Sequence, residues 1–236
     1  MSTEFSAENP KSDPTLPVPR TIEYPWMSVS SWRERYDSHV ERAERGGVDL
    51  LLVGDSITEG WLGTQVWSRV FGAYRSANFG IGGDATQNLL WRLDNGCIGA
   101  LRPKVVVLLI GVNNLGREQH TPAETARGVR AVVERLRAGF PEAKLVVFGI
   151  FPADAAPGTP FRRAIADTNR LLAPLHDGRR VFFHDIGAGF LEPDGTLTAE
   201  VSPDSLHLSE EGYRRWADKL APLVAELMNE KPAPTR

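Results

Sequence analysis

One cysteine, Cys97, occurs in 236 residues, so no internal disulfide can form and no metal site can be built from several thiolates. That scarcity fits a reducing compartment. Long apolar runs are also missing: the longest, Val105–Ile110, falls far short of the roughly 18 residues a membrane span needs. There is no excess of one charge. Twenty-seven basic against 30 acidic residues leave a net −3, too little positive charge for a phosphate-backbone binder, so no nucleic-acid partner is expected. Met1 to Arg20 lack the apolar core of a secretory signal and the pattern of a transit peptide. A cytoplasmic protein is the expectation, with a secreted parent trimmed of its signal left open. What is present, 42% hydrophobic and 24% charged residues, is ordinary for one globular domain of this length.

Prolines crowd the start of the chain, at Pro10, Pro14, Pro17, Pro19 and Pro25. Such a segment cannot hold a regular helix, so residues 1–23 read as an extended tail. Pro232 and Pro234 mark a shorter tail at 230–236, which leaves 24–229 as one domain. Within it, Asp49–Gly54, Val105–Gly111 and Lys144–Phe151 are continuous apolar runs, the pattern of strands buried on both faces. Arg75–Phe79 and Arg180–His184 are weaker runs of the same kind. Helical signals lie between them. Thr121-Pro122-Ala123-Glu124 is a capping box with proline at the first helical position, followed by an apolar stripe from Val129 to Phe140. Ser209 caps a last helix whose Tyr213, Trp216, Leu220, Leu223 and Leu227 share a face and which Pro222 should kink. Strands alternating with helices make a doubly wound α/β domain, whose ligands sit at the carboxyl ends of the strands.

Those strand ends carry polar residues suited to chemistry. Ser56, after the first strand, reads either as a helix cap or as a nucleophile at a site that favours developing negative charge. Thr58 stands where a G-x-S-x-G elbow would need glycine. After the second strand, Gly80, Gly82 and Gly83 leave backbone amides uncovered, and Thr86 breaks the dinucleotide fingerprint. Asn113 and Asn114 follow the third strand, where a side-chain amide can donate to an oxyanion or close an Asx-turn. Asp204 and His207 precede the last helix, spaced so that a carboxylate can orient an imidazole. His39 and His120 read as surface positions. No second ligand stands at metal spacing from His207, and no D-x-D follows a strand, so no metal is expected. Four signals converging on one mouth supply a nucleophile, a base with its orienter, and oxyanion donors.

With these residues in place the chain resembles the SGNH hydrolase family, the GDSL-type esterases. Gly54-Asp55-Ser56 is similar to its first block, Gly83 to its second, Asn113 to its third, and Asp204 with His207 to its fifth. The stretches Asn78–Asp84 and Leu90–Gly96 look most like the platelet-activating-factor acetylhydrolase catalytic-subunit branch of that family. Asn114 departs from the common G-x-N-D pattern, as that branch does. The resemblance implies a flavodoxin-like α/β/α sandwich of three layers around a five-stranded parallel sheet, and ester hydrolysis without a cofactor. It implies Ser56 as nucleophile, His207 as general base and Asp204 as its orienter, with an oxyanion hole from the Ser56 amide, the Gly83 amide and the Asn113 side chain. A homodimer is a further implication.

Ile57, Val112 and Leu206 adjoin the catalytic positions and are branched. If they crowd the acyl side, only short acetyl-like groups fit; the alternative is that they are core. Trp61 and Trp91 belong to the core or line the alcohol side. The expected function is therefore a serine esterase for short-chain esters, of the carbohydrate or aryl acetylesterase kind. The alternatives are a lysophospholipase or thioesterase for longer chains, and a partner-binding protein that retains the fold.

Overall fold

The apolar runs become the strands of a single sheet. In the computed structural model, which describes residues 11–229, β1 (Leu50–Gly54), β2 (Ser76–Gly80), β3 (Val105–Leu109), β4 (Lys144–Phe148) and β5 (Val181–His184) pair in the order β2-β1-β3-β4-β5. Every pairing is parallel. Alternate strand residues feed opposite faces. Leu50, Leu52, Val105 and Val107 pack under α3 (Gln65–Phe71) and α8 (Glu210–Asn229). Leu51, Val53, Val106 and Leu108 pack under α4 (Thr86–Asp94) and α6 (Pro122–Gly139). With both faces covered, the strands need no polar alternation, which is why the sequence shows continuous runs.

Helix starts follow their local chemistry. The Thr121 hydroxyl accepts from the Glu124 amide at 3.3 Å and the Glu124 carboxylate accepts from the Thr121 amide at 2.7 Å, the expected capping box. Ser209 accepts from the Gly212 amide at 3.2 Å. Pro222 does not end α8, which runs through it to Asn229. Pro222 and Asp218, whose carbonyl loses its helical donor, both lie on the exposed side, where water can replace the missing bond.

Residues 11–23 are not a separate tail. Val18 donates its amide to the Gln87 carbonyl at 3.1 Å, Thr86 donates to the Pro14 carbonyl at 2.8 Å, and Asn88 donates to the Val18 carbonyl at 3.1 Å. Extended proline-rich backbone leaves its polar groups unpaired, and the polar first turn of α4 satisfies them. The expected boundary at residue 24 therefore moves toward the N-terminus. Residues 1–10 and the expected tail at 230–236 lie outside the described residues. His120 is likewise not a surface residue: it is buried, with its Nε2 2.8 Å from the Ser12 carbonyl. His39 is half-buried and stacks on Phe79 at 4.5 Å. Burial, with Arg92 and Arg35 nearby, pushes its imidazole down to about 3.

Candidate active site

The sheet order changes direction between β1 and β3, and the registers bring Gly54 level with Gly80 and Leu109. The segments leaving three strands therefore emerge side by side at the switch point. After β1 comes α2 (Ser56–Glu59), whose cap is Asp55: its Oδ1 accepts from the Ile57 amide at 3.0 Å. Ser56 is thus the first helical residue rather than the cap. Its hydroxyl is left to meet His207, with Oγ to Nε2 at 2.9 Å. On the far side of the ring, Nδ1 lies 2.7 Å from Asp204 Oδ2. If Nδ1 carries the proton donated to Asp204, Nε2 is free to accept from Ser56. Burial works against the Asp204 charge. The bonds from the His207 ring and from the His207 and Leu206 amides outweigh it, holding the carboxyl below its usual range.

After β2, the turn through Gly82 and Gly83 is pinned from three directions. Glu59 Oε2 accepts from the Gly82 amide at 2.7 Å, and Arg20 Nη2 donates to the Gly82 carbonyl at 2.6 Å. Asn113 Nδ2 donates to the Asp84 carbonyl at 2.9 Å. Gly83 has φ +75°, and a Cβ there would stand 2.5 Å from the Trp26 ring, so glycine is required twice over. Beneath the turn, the fully buried Asp84 takes the Trp32 indole at 2.7 Å and Arg92 Nε at 2.8 Å. Arg20 reaches the same carboxylate at 3.3 Å.

Asn113 and Asn114 open α5 (Val112–Gly116). Asn113 faces a cavity of about 330 Å³ together with Ser56, Gly83 and His207. Asn114 faces away from it. Its Oδ1 accepts from the Thr86 amide at 3.0 Å and its Nδ2 donates to the Thr86 hydroxyl at 2.9 Å and to Gln87 at 3.2 Å. An aspartate there could keep only the first of these bonds, which explains the departure from G-x-N-D.

Of the three apolar residues expected around the acyl group, only Leu206 lines this cavity. Ile57 and Val112 are 2% and 5% exposed and belong to the core under α8. Trp61 is fully buried there too, and Trp91 packs 5.0 Å from Tyr36 and 5.7 Å from Trp32. Residues with no signal in the sequence supply the rest of the wall: Trp26, Met27, Glu59 and Arg117. Trp26 and Met27 stand just beyond the segment expected to be a tail, and nothing in their local pattern indicates that the chain folds back over the mouth.

This arrangement can carry out acyl transfer: a hydroxyl bonded to an imidazole, a carboxylate behind it, and amide donors across one cavity. Comparison with known proteins points the same way. The model of the GDSL-like Lipase/Acylhydrolase family matches residues 52–215. Platelet-activating factor acetylhydrolase IB subunit alpha2 of Rattus norvegicus is 34% identical over 85% of this chain and 86% of its own length. The alpha1 subunit of Homo sapiens is 34% identical over 94% of this chain and 92% of its own. Among solved structures, a carbohydrate acetylesterase from Sinorhizobium meliloti superposes with a TM-score of 0.60 at 22% identity, over 76% of this chain and 99% of that one. This likeness bears on the fold alone. Among the described residues, no helix is long and apolar enough to cross a membrane. The chain belongs to the GDSL-like lipase/acylhydrolase family and is a carboxylic ester hydrolase.

Proposed function

We propose that the protein is a serine esterase that removes short, acetyl-like groups from sugar or aromatic alcohols through an acyl-serine intermediate. The observation that carries this reading is the unbroken chain Ser56 Oγ to His207 Nε2 at 2.9 Å and His207 Nδ1 to Asp204 Oδ2 at 2.7 Å. Ser56 attacks the ester carbonyl carbon as its proton passes to Nε2, and Asp204 steadies the imidazolium that results. The carbonyl oxygen becomes an oxyanion facing the Ser56 and Gly83 amides and the Asn113 side-chain amide. Asn113 has two N–H groups, so one can hold the Asp84 carbonyl while the other serves the oxyanion. The intermediate collapses with cleavage of the ester C–O bond, and the alcohol leaves with the proton from His207. Water then attacks the acyl carbon as His207 takes its proton, the bond from that carbon to Ser56 Oγ breaks, and His207 returns the proton to Oγ as the acid is released.

The small cavity supports a short acyl group, and so do the acetylhydrolase and acetylesterase names of the relatives. Leu206 lines the cavity, which supports its role in limiting the acyl side. Hydrolysis of p-nitrophenyl esters from acetyl to decanoyl, with Ser56→Ala alongside, tests the whole reading. Acetyl should be fastest, and Ser56→Ala should lower kcat by about 10³-fold or more. A rate that peaks on long chains would favour a lysophospholipase or thioesterase. Equal rates in wild type and Ser56→Ala would remove Ser56 from the chemistry. The same reading keeps the homodimer and the cytoplasmic location as expectations, to be checked by sedimentation and by cell fractionation.

A further inference from the structure

The cavity lined by Ser56 and His207 is also lined by two elements distant in sequence. Arg117 is the residue that closes α5, its amide bonded to the Asn113 carbonyl at 2.8 Å. Positions four apart on a helix share a face, with Cβ atoms about 5–6 Å apart. Arg117 therefore stands one turn beyond Asn113 on the same side, and both line the cavity. Against it lie two stacked rings, Tyr24 and Trp26, 5.1 Å apart and nearly parallel. The Arg117 guanidinium sits 4.6 Å from the Tyr24 ring and 4.8 Å from the Trp26 ring. Trp26 keeps 49% of its surface exposed and lines the same cavity.

The charges around this wall are unevenly committed. Glu59, the one carboxylate lining the cavity among the described residues, gives one oxygen to the Gly82 amide and the other to Arg35 at 2.7 Å. Asp204 is committed to His207. Arg20 and Arg92 are committed to Asp84. Arg117 has ring partners but no hydrogen-bond acceptor and no carboxylate among the described residues. Cation–π contacts hold a guanidinium in place while leaving its fork of N–H donors, which matches carboxylate and phosphate oxygens. Arg117 is exposed, so its donors face water at the cavity wall and are open to exchange that water for an anion brought in by a substrate.

We propose that Arg117 and Trp26 form a leaving-group subsite selecting esters whose alcohol half is a ring that carries an anionic group, a carboxylate or a phosphate. Trp26 takes the face of the ring, and the Arg117 fork takes the anion. The inference rests on the proposed esterase reading, because the ring is held as the alcohol half of the ester that Ser56 attacks. No new bond is made or broken: the ester is hydrolysed as described, and the anion leaves with the alcohol.

The test compares kcat/KM of the full chain on 4-acetoxybenzoate, 4-acetoxyphenyl phosphate and the neutral 4-acetoxybenzamide. Wild type, Arg117→Gln, Arg117→Lys and Trp26→Ala are measured side by side. Comparing variants on one ester cancels the differences in leaving-group acidity. Arg117→Gln should lower kcat/KM on the anionic esters about tenfold more than on the neutral benzamide, a charge-assisted contact discounted for solvent exposure, and any loss on the benzamide reports the disturbed Trp26 ring. Whichever anionic ester loses more identifies carboxylate or phosphate as the preferred group. Arg117→Lys should retain part of the preference, and high salt should shrink it in wild type. Trp26→Ala should slow all three ring esters more than ethyl acetate. An equal loss on charged and neutral esters in Arg117→Gln, or no loss on either, would overturn the anion subsite. An equal effect of Trp26→Ala on ethyl acetate would overturn the stacking. If Ser56→Ala hydrolyses the benzamide ester as fast as wild type, the esterase reading fails and this inference falls with it. If that variant is inactive while Arg117→Gln does not discriminate, the subsite alone is wrong.

Discussion

At the scale of single residues, the site turns on which of two neighbours fills the helix cap. Ser56 is suited to capping, and in the sequence that reading competes with the nucleophile. Asp55 takes the cap, at a cost. Its Oδ1 bonds the Ile57 amide, but its Oδ2 is buried without a partner. Burial pushes the Asp55 carboxyl up to about 7, with the charges of Asp84 and Glu59 adding to the effect. In the unfolded chain the same group ionises near pH ~4. Between those values the folded protein holds a proton that the unfolded chain has released, so this group makes stability fall as pH rises from about 4 to about 7. Asp55→Asn cannot ionise and should remove that part of the fall. Urea denaturation of both proteins at pH 5 and pH 8 checks it: wild type should lose more stability between the two than Asp55→Asn. Equal losses would mean that the carboxyl is ionised across the range.

At the scale of elements, the segment 11–23 changes most between sequence and structure. Its prolines correctly exclude a helix, but proline content cannot show whether an extended chain is free or laid against a surface. Arg20 decides the matter: it is 4% exposed, with bonds to Gly82 and Asp84 beneath the turn that presents Gly83. Removing one partner of a buried ion pair leaves the other undercompensated, at a cost of about 3 kcal/mol. Arg20→Met should destabilise by that order and should lower kcat more than it raises KM, because the Gly83 amide loses its support. Arg20→Lys restores the charge without the fork and should fall between. Stability from urea melts, set beside steady-state kinetics on p-nitrophenyl acetate, separates the two effects. A stable Arg20→Met with unchanged kcat would show that the turn holds itself. Elements with strong local signals, such as the Thr121 capping box, were legible because their partners are three residues apart. Asn114 was legible as a position but not as a role, since its partners Thr86 and Gln87 lie in another helix.

For the molecule as a whole, the two faces of the sheet are unequal. The face under α8 carries an aromatic cluster centred on the fully buried Trp216, whose ring lies 4.8 Å from Trp61, 4.9 Å from Phe151 and 5.6 Å from Phe148. Tyr213 ties this face to the site by donating its hydroxyl to the Ile57 carbonyl at 2.7 Å. Trp216→Ala should cost about 3–5 kcal/mol, read from urea denaturation, because the layers cannot close over so large a void. A loss under ~1 kcal/mol would mean that the cluster repacks.

The sequence by itself determined the parallel sheet, the helices that cover it, the strand ends from which Ser56 and Asn113 emerge, and the loop before the last helix that carries Asp204 and His207. Continuous apolar runs and caps are local patterns, and in such a sheet the ligand sits at the carboxyl ends of the strands, which marks the polar residues leaving those ends. The tertiary structure alone decided that Ile57 and Val112 are core, that His120 is buried, that Trp26 and Arg117 line the cavity, and that Arg20 bonds the turn through Gly82. Whether a side chain faces a cavity or a neighbour depends on what packs across from it. For these residues the opposing surface comes from a part of the chain distant in sequence.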